Sequence, residues 1–78
     1  MSEATEEITY LQQLLRTNGN TDVNSIHIAS YLDTQSARFR RMGLSAVSAW
    51  IDTARCEWDA CDVAGALSAL KKAKAYTR

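Results

Sequence analysis

LSAVSAWIDTARCEWDA, residues 44–60, is the most periodic stretch of this 78-residue sequence. Its apolar side chains recur at intervals of three and four residues, close to a heptad repeat. They are Leu44, Val47, Ile51, Ala54 and Trp58. This spacing predicts an amphipathic helix from about residue 45 to residue 60, with one face buried.

The following segment, residues 61–78, predicts a second helix packed against the first. Cys61 and Asp62 predict a turn, in which Asp62 can accept a backbone hydrogen bond as an N-cap. The apolar stripe of this helix consists of Val63, Ala66, Leu67, Leu70 and Ala73, whereas Lys71, Lys74 and Arg78 lie away from it. We therefore expect the last two helices to form a tight antiparallel αα-hairpin.

A first helix is predicted over about residues 4–17. Its buried side chains should be Ile8, Leu11 and Leu15, with Leu14 beside them. The sequence Asn18-Gly19-Asn20 should end this helix, because Gly and Asn accept the left-handed conformation of a C-cap.

The next helix should begin near Thr21 or Asp22, either of which can act as an N-cap. Its inward side chains should be Val23, Ile26, Ile28, Ala29 and Leu32. Two alternatives stay open at Asp33-Thr34: a turn, or one helix that continues through Phe39 to Met42. Gly43 should end the segment in either case.

Composition also favours helices. The chain has no proline and three glycines, and no alternating run of the kind that forms strands. Its 46% hydrophobic and 23% charged residues are typical of a globular protein rather than a disordered one. Helices this short do not persist alone. The predicted fold is a compact all-α bundle of four or five short helices, in a single domain covering residues 1–78.

Nine basic and nine acidic side chains give a net charge of zero, but the charges form blocks along the chain. Residues 34–51 and 63–78 contain basic side chains and no acid, whereas the acids lie in the other two blocks. One interpretation is that neighbouring helices of opposite sign attract each other. The alternative is that a basic block faces phosphate or an acidic partner.

Several function classes are disfavoured. No apolar run approaches 18 residues, and the acidic, polar start is unlike a secretory signal, so we expect a cytoplasmic protein that does not enter membranes. Cys56 and Cys61 are spaced poorly for zinc, and we expect free thiols, buried or partly buried. The lone His27 should be structural or lie at the surface. We expect no metal, no cofactor and no catalysis, because no catalytic grouping or phosphate loop can be assembled.

The segment IASYLDTQSARFRRM, residues 28–42, has a small residue, Ala29, surrounded by apolar side chains that can join a core. These are Ile28, Leu32, Phe39 and Met42. In this pattern it resembles a DNA-binding helix-turn-helix unit. The resemblance implies a turn at Asp33-Thr34, after which Gln35 and Ser36 open a recognition helix toward base edges.

The same resemblance implies that Arg38, Arg40 and Arg41 contact guanine edges or phosphates. A transcriptional regulator that binds duplex DNA is therefore one functional hypothesis for this chain.

Residues 49–76 suggest a different partner. Trp50 supplies an aromatic residue near the start of one helix, and small residues follow at Ala54, Ala66 and Ala73, with Leu70 between the last two. This pattern resembles a single tetratricopeptide-type helical hairpin, with its turn at residues 61–63. The resemblance implies binding of a peptide or of another helix.

The aromatic and arginine side chains are the candidate partner-binding residues, because interface hot spots favour Trp, Tyr and Arg. They are Trp50, Trp58, Tyr31, Arg40 and Arg41. The leading hypothesis is a small non-catalytic protein-binding module, a regulator, inhibitor or assembly subunit, whose partner is either another protein or a second copy of the chain in a homodimer. A chain this small gains useful burial from a partner. DNA binding is the alternative.

Overall fold

The computed structural model describes residues 3–18 and 25–77. Four helices cover most of them: α1 (Glu3–Asn18), α2 (Ser25–Arg41), α3 (Ser45–Asp59) and α4 (Val63–Ala75). The described residues contain no strand, which confirms the all-α prediction. The predicted N-cap at Thr21 or Asp22, the inward position of Val23 and the glycine stop at Gly19 lie outside the described residues.

The helices do not pack in chain order. α3 packs against α2 on one side and α4 on the other, and α4 in turn packs against α1. α1 touches α2 only lightly, so the seam between these two helices is the loosest in the bundle. The predicted hairpin is α3 and α4, joined by a short turn at residues 60–62.

The core contains most of the stripe residues that the sequence predicts, with Leu14, Leu44, Val63 and Leu67 partly buried against it. Ile8, Leu11 and Leu15 of α1 are fully buried, as are the α3 residues of the periodic segment. On α4, the small residues Ala66 and Ala73 are fully buried and permit the close approach of its neighbours. The largest buried side chains are Trp58 and Phe39.

Helix α2 settles the alternative at Asp33-Thr34, because it runs unbroken from Ser25 to Arg41. Its buried apolar stripe is Ile28, Ala29, Leu32 and Phe39. Ile26 was expected to point inward, but it is 75% exposed, since at 100° per residue it lies far around the helix from this stripe. Met42 was expected in the core and is 53% exposed, because it lies in the turn after the helix end.

The turns after α2 and α3 have the same geometry. In each, a residue with positive φ follows the helix, and the next backbone N–H donates to a carbonyl five residues back. This is the Schellman arrangement. Gly43 occupies the left-handed position after α2 with φ 82°, whereas Cys61 occupies it after α3 with φ 62°.

Asp62 caps the start of α4, as the sequence predicts. Its side chain accepts a hydrogen bond from the Gly65 backbone N–H at 2.8 Å. The turn therefore ends one helix and begins the next within three residues, which holds α3 and α4 side by side.

None of the helices in the described ranges is long and apolar enough to cross a membrane.

Candidate functional site

The two tryptophans predicted to bind a partner lie in different environments. Trp58 is fully buried in the core, so the expectation that it contacts a partner is wrong: its stripe on α3 is covered by the neighbouring helices. Trp50 is half-buried against the core, and the Lys72 ammonium lies 4.8 Å from the centre of its ring. This cation–π contact joins α3 to α4.

Tyr31 is half-buried at the seam between α1 and α2. Its ring meets Tyr10 edge to face, with the centroids 6.1 Å apart. Burial raises the pKa of Tyr31, and the nearby Glu7 and Tyr10 act in the same direction while Arg38 opposes them. Only part of the ring of Tyr31 is therefore open to a partner.

Most of the predicted arginines are already paired. Arg38 lies 3.3 Å from Glu7 of α1, and Arg40 lies 3.0 Å from Asp52 of α3. Arg41 is exposed at the end of α2, and none of the described acids pairs with it. The opposite charge blocks thus attract each other across helix interfaces, as one interpretation of the sequence expects.

A third arginine, Arg55, repeats this pattern from α3. It lies 3.3 Å from Asp33 of α2 and also pairs with Asp59, one turn along its own helix. A small cleft beside it between α2 and α3 is edged by the exposed Ile26.

Gln35 and Ser36 do not open a recognition helix. The turn that the helix-turn-helix resemblance implies is absent, because residues 33–36 lie in the middle of α2. Gln35 is 7% exposed and Ser36 is 2% exposed. Since both face the neighbouring helices, neither can reach a base edge in this conformation.

Ser36 instead belongs to a polar network between α2 and α3 that runs from the buried Ser36–Ser48 pair to the surface. Its hydroxyl is 2.8 Å from that of Ser48, and it donates to the carboxylate of Asp52, which also accepts from Arg40. Every member of this network has a partner, so it links the two helices at little desolvation cost.

The cysteines and the histidine do not form a metal-binding cluster with other described residues. Cys56 and Cys61 are free, as predicted, but exposed rather than buried, because Cys56 lies on the solvent-facing side of α3 and Cys61 lies in the turn after it. His27 is at the surface. In residues 3–18 and 25–77, no three His, Cys, Asp or Glu side chains come together as metal ligands would.

A cationic groove lies between α1 and α4, where sequence reasoning placed no site. We define it by its lining residues Thr9, Gln12, Arg16, Lys71, Lys74 and Ala75. Its volume is about 580 Å³, within the range of ligand-binding clefts. Arg16 stands on the α1 wall, and two lysines stand on the α4 wall.

The three cations of the cationic groove differ from Arg38 and Arg40 of α2, which pair with acids. Among the described residues no acid pairs with Arg16, Lys71 or Lys74. The groove is therefore a concentration of uncompensated positive charge on a molecule whose net charge is zero.

Gln12 adds a neutral polar group to the floor of the cationic groove. The residue is only 8% exposed, yet its carboxamide makes no hydrogen bond within the described part of the chain. Its polar atoms are not fully enclosed either, so they face the opening of the groove. The amide can therefore exchange water for a donor or an acceptor of a ligand in the groove.

A second, smaller cleft lies at the seam between α1 and α2. Its lining is mostly acidic, from Glu3, Glu6 and Glu7, with Tyr10 and Arg38. α1 therefore separates an acidic flank, with Glu3, Glu6 and Glu7, from a basic one, with Arg16.

The signal for the cationic groove was present in the sequence as the basic block of residues 63–78. What sequence reasoning missed is that Arg16, from an acid-rich block, joins Lys71 and Lys74. The pairing of α1 with α4 brings these residues together across the whole length of the chain. Such an arrangement can bind anionic groups through charge-assisted hydrogen bonds. No protein-family model, curated protein or solved structure matches this chain, so the geometry alone carries the functional argument.

Proposed function

We propose that this chain is a small non-catalytic protein-binding module, a regulator, inhibitor or assembly subunit, that holds its partner in the cationic groove. The observation that carries the proposal is the contrast in charge pairing. Arg38, Arg40 and Arg55 are compensated by acids, whereas the groove cations have none among the described residues. A partner that supplies the missing negative charge is favoured there.

Gln12 supports the same site independently of charge. Its carboxamide makes no hydrogen bond within the described part of the chain and offers a donor and an acceptor to a ligand in the groove. Free, exposed cysteines suit a reducing compartment, which favours a cytoplasmic role. Self-association is a second form of this proposal, in which the partner is another copy of the chain.

The test is capture of a stoichiometric partner from the native host by tagged wild-type chain. It is repeated with the triple variant Arg16→Ala/Lys71→Ala/Lys74→Ala and with the control Arg40→Ala/Arg41→Ala, which removes cations outside the groove. We expect the partner to be lost only in the groove variant. Circular dichroism shows whether each variant is folded, and light scattering gives the mass of the chain alone.

DNA binding stays an alternative prediction, and the same proteins test it. Titration of a short duplex should give negligible affinity even at low salt if the chain is a protein-binding module. Binding to duplex that weakens steeply with salt and disappears in the Arg40→Ala/Arg41→Ala variant would support the DNA-binding regulator instead.

A further inference from the structure

We infer that the cationic groove recognises an acidic helix of the partner, one that carries carboxylates a single turn apart. This inference rests on the proposed function and names the chemistry of its partner. It follows from the spacing of the groove cations, the position of Gln12 and the charges that flank the site.

Spacing is the first step. Lys71 and Lys74 lie three residues apart on α4, so their Cβ atoms are about 5–6 Å from each other on one face. Acids at positions i and i+3 or i+4 of a second helix have the same separation. A helix lying along α4 therefore places one carboxylate opposite each lysine.

The opposite wall and floor supply the remaining contacts. Arg16 faces the same opening from α1, so a third acid on the partner, or the carbonyl end of its helix, meets a positive charge there. Gln12 can donate to a carboxylate between these charges. The Thr9 hydroxyl is not available in the same way, because it donates to the Thr5 carbonyl at 3.0 Å.

The flanking charges favour a protein over a nucleic acid. Glu3 and Glu6 stand in the first turn of α1, on the same helix as Arg16, and the net charge of the chain is zero. A duplex wide enough to span α1 would meet both its basic flank and its acidic flank. Three cations also give little counterion release, the term that dominates nonspecific binding to DNA.

Lys72 provides a matched control on the same helix. Its ammonium lies over the Trp50 ring, on the side of α4 that faces α3 and away from the groove. Loss of this charge lowers the net charge as much as loss of either groove lysine. A site-specific effect and a general electrostatic effect are therefore separable.

The experiment uses two fluorescein-labelled, alanine-based helical peptides of equal composition. One has glutamates paired at i and i+3, and its isomer has them at i and i+2, on different faces. In anisotropy titrations with the full chain we expect the first peptide to bind at least fivefold more tightly. Lys71→Gln and Lys74→Gln should each lower the affinity for the first peptide about two- to fivefold, and Lys72→Gln should leave this affinity unchanged.

Gln12→Leu gives a second measurement. This substitution should lower the affinity for the first peptide. The melting temperature should stay the same, because the amide has no partner within the described chain. Equal affinity for the two peptides, equal effects of Lys72→Gln and Lys71→Gln, or tighter binding of a 20-base-pair duplex than of either peptide would overturn the inference.

Failure of this inference is distinguishable from failure of the proposed function. If the captured host partner requires Arg16, Lys71 and Lys74 but the two peptides bind equally, the groove binds a protein of other chemistry. If neither the partner nor the peptides depend on these residues, both proposals are wrong.

Discussion

The interface between α2 and α3 and the interface between α1 and α4 use charge in opposite ways. Between α2 and α3, Arg40 pairs with Asp52 and Arg55 pairs with Asp33, while Ser36 and Ser48 share a buried hydrogen bond. Between α1 and α4 the cations face a groove and have no acidic partner in the described chain.

The polar groups between α2 and α3 contact each other and help to fix the fold. The cations between α1 and α4 have no acidic partner in the described chain and are available to bind a ligand. Exposed ion pairs contribute only about 0.2–1 kcal/mol each, so the pairs of α2 and α3 mainly fix which faces meet. α1 is held mainly by apolar burial, through Ile8, Leu11 and Leu15, beside the single ion pair of Glu7 with Arg38 among the described residues. Its basic flank is therefore free to bind without weakening the bundle.

Replacement of Ser36 tests the polar side of this comparison and has the largest expected effect. Ser36→Ala removes the hydroxyl that joins Ser48 to Asp52 and leaves the Ser48 hydroxyl without that partner, so the free energy of unfolding should fall by about 1–3 kcal/mol. Urea denaturation followed by circular dichroism measures the change. Ser68→Ala, at an exposed site on α4, is the control and should be nearly neutral. Equal stability of the two variants would contradict a role for the network.

The two turns offer a comparison of backbone strain. An L-residue in the left-handed region costs about 1–2 kcal/mol, partly offset by the greater freedom of glycine in the unfolded chain. Cys61→Gly should therefore stabilise the protein by about 0.5–1 kcal/mol, and Gly43→Ala should destabilise it by a similar amount. A Cβ at Gly43 meets no atom within 4 Å, so the second effect reports φ alone. Thermal melts under reducing conditions show whether Cys61→Gly raises and Gly43→Ala lowers the melting temperature. If Cys61→Gly is no more stable than wild type, the backbone of Cys61 is not strained.

Glu57 lies near the C-terminal end of α3, and its replacement has the smallest expected effect on stability. Unlike Asp33 and Asp52, which face arginines, Glu57 faces Asp62. A hydrogen bond from the protonated Glu57 carboxyl to Asp62 raises the pKa of Glu57, and burial and repulsion between the two carboxylates act in the same direction.

The sign of the pH dependence follows. Because the pKa of Glu57 is higher in the folded than in the unfolded chain, folding holds this proton more tightly. The contribution to stability is fully present below the ordinary glutamate pKa of 4.5 and is lost as pH rises through the raised value. The difference in melting temperature between wild type and Glu57→Gln should therefore change across this range. A difference that is constant with pH would exclude the contact.

Much of the fold could be predicted because helix stripes are local. Of the apolar stripe of the periodic segment, Val47, Ile51, Ala54 and Trp58 are fully buried and Leu44 is partly buried. The N-cap at Asp62 was also predictable, since it depends on a backbone N–H only three residues away.

The candidate site was less predictable. The alternatives at Asp33-Thr34 differ by little in local preference, and the packing of α2 along α3 favours the continuous helix. Trp50 and Trp58 lie eight residues apart and so point about 80° from each other, which left open which one the core covers. Ile26 looked like a core residue because it is apolar, but no stripe includes it.

The sequence by itself determined that this chain is helical, where its periodic faces lie and how its charges are distributed in blocks. These properties depend on neighbours three or four residues away, at distances that helix geometry sets. Only the tertiary structure decided which charges meet. The order α2, α3, α4, α1 places Arg38 and Arg40 beside acids, and it brings Arg16 beside Lys71 and Lys74 with no acidic partner in the described chain. Contacts between distant segments depend on how whole faces pack, and no local spacing encodes that choice.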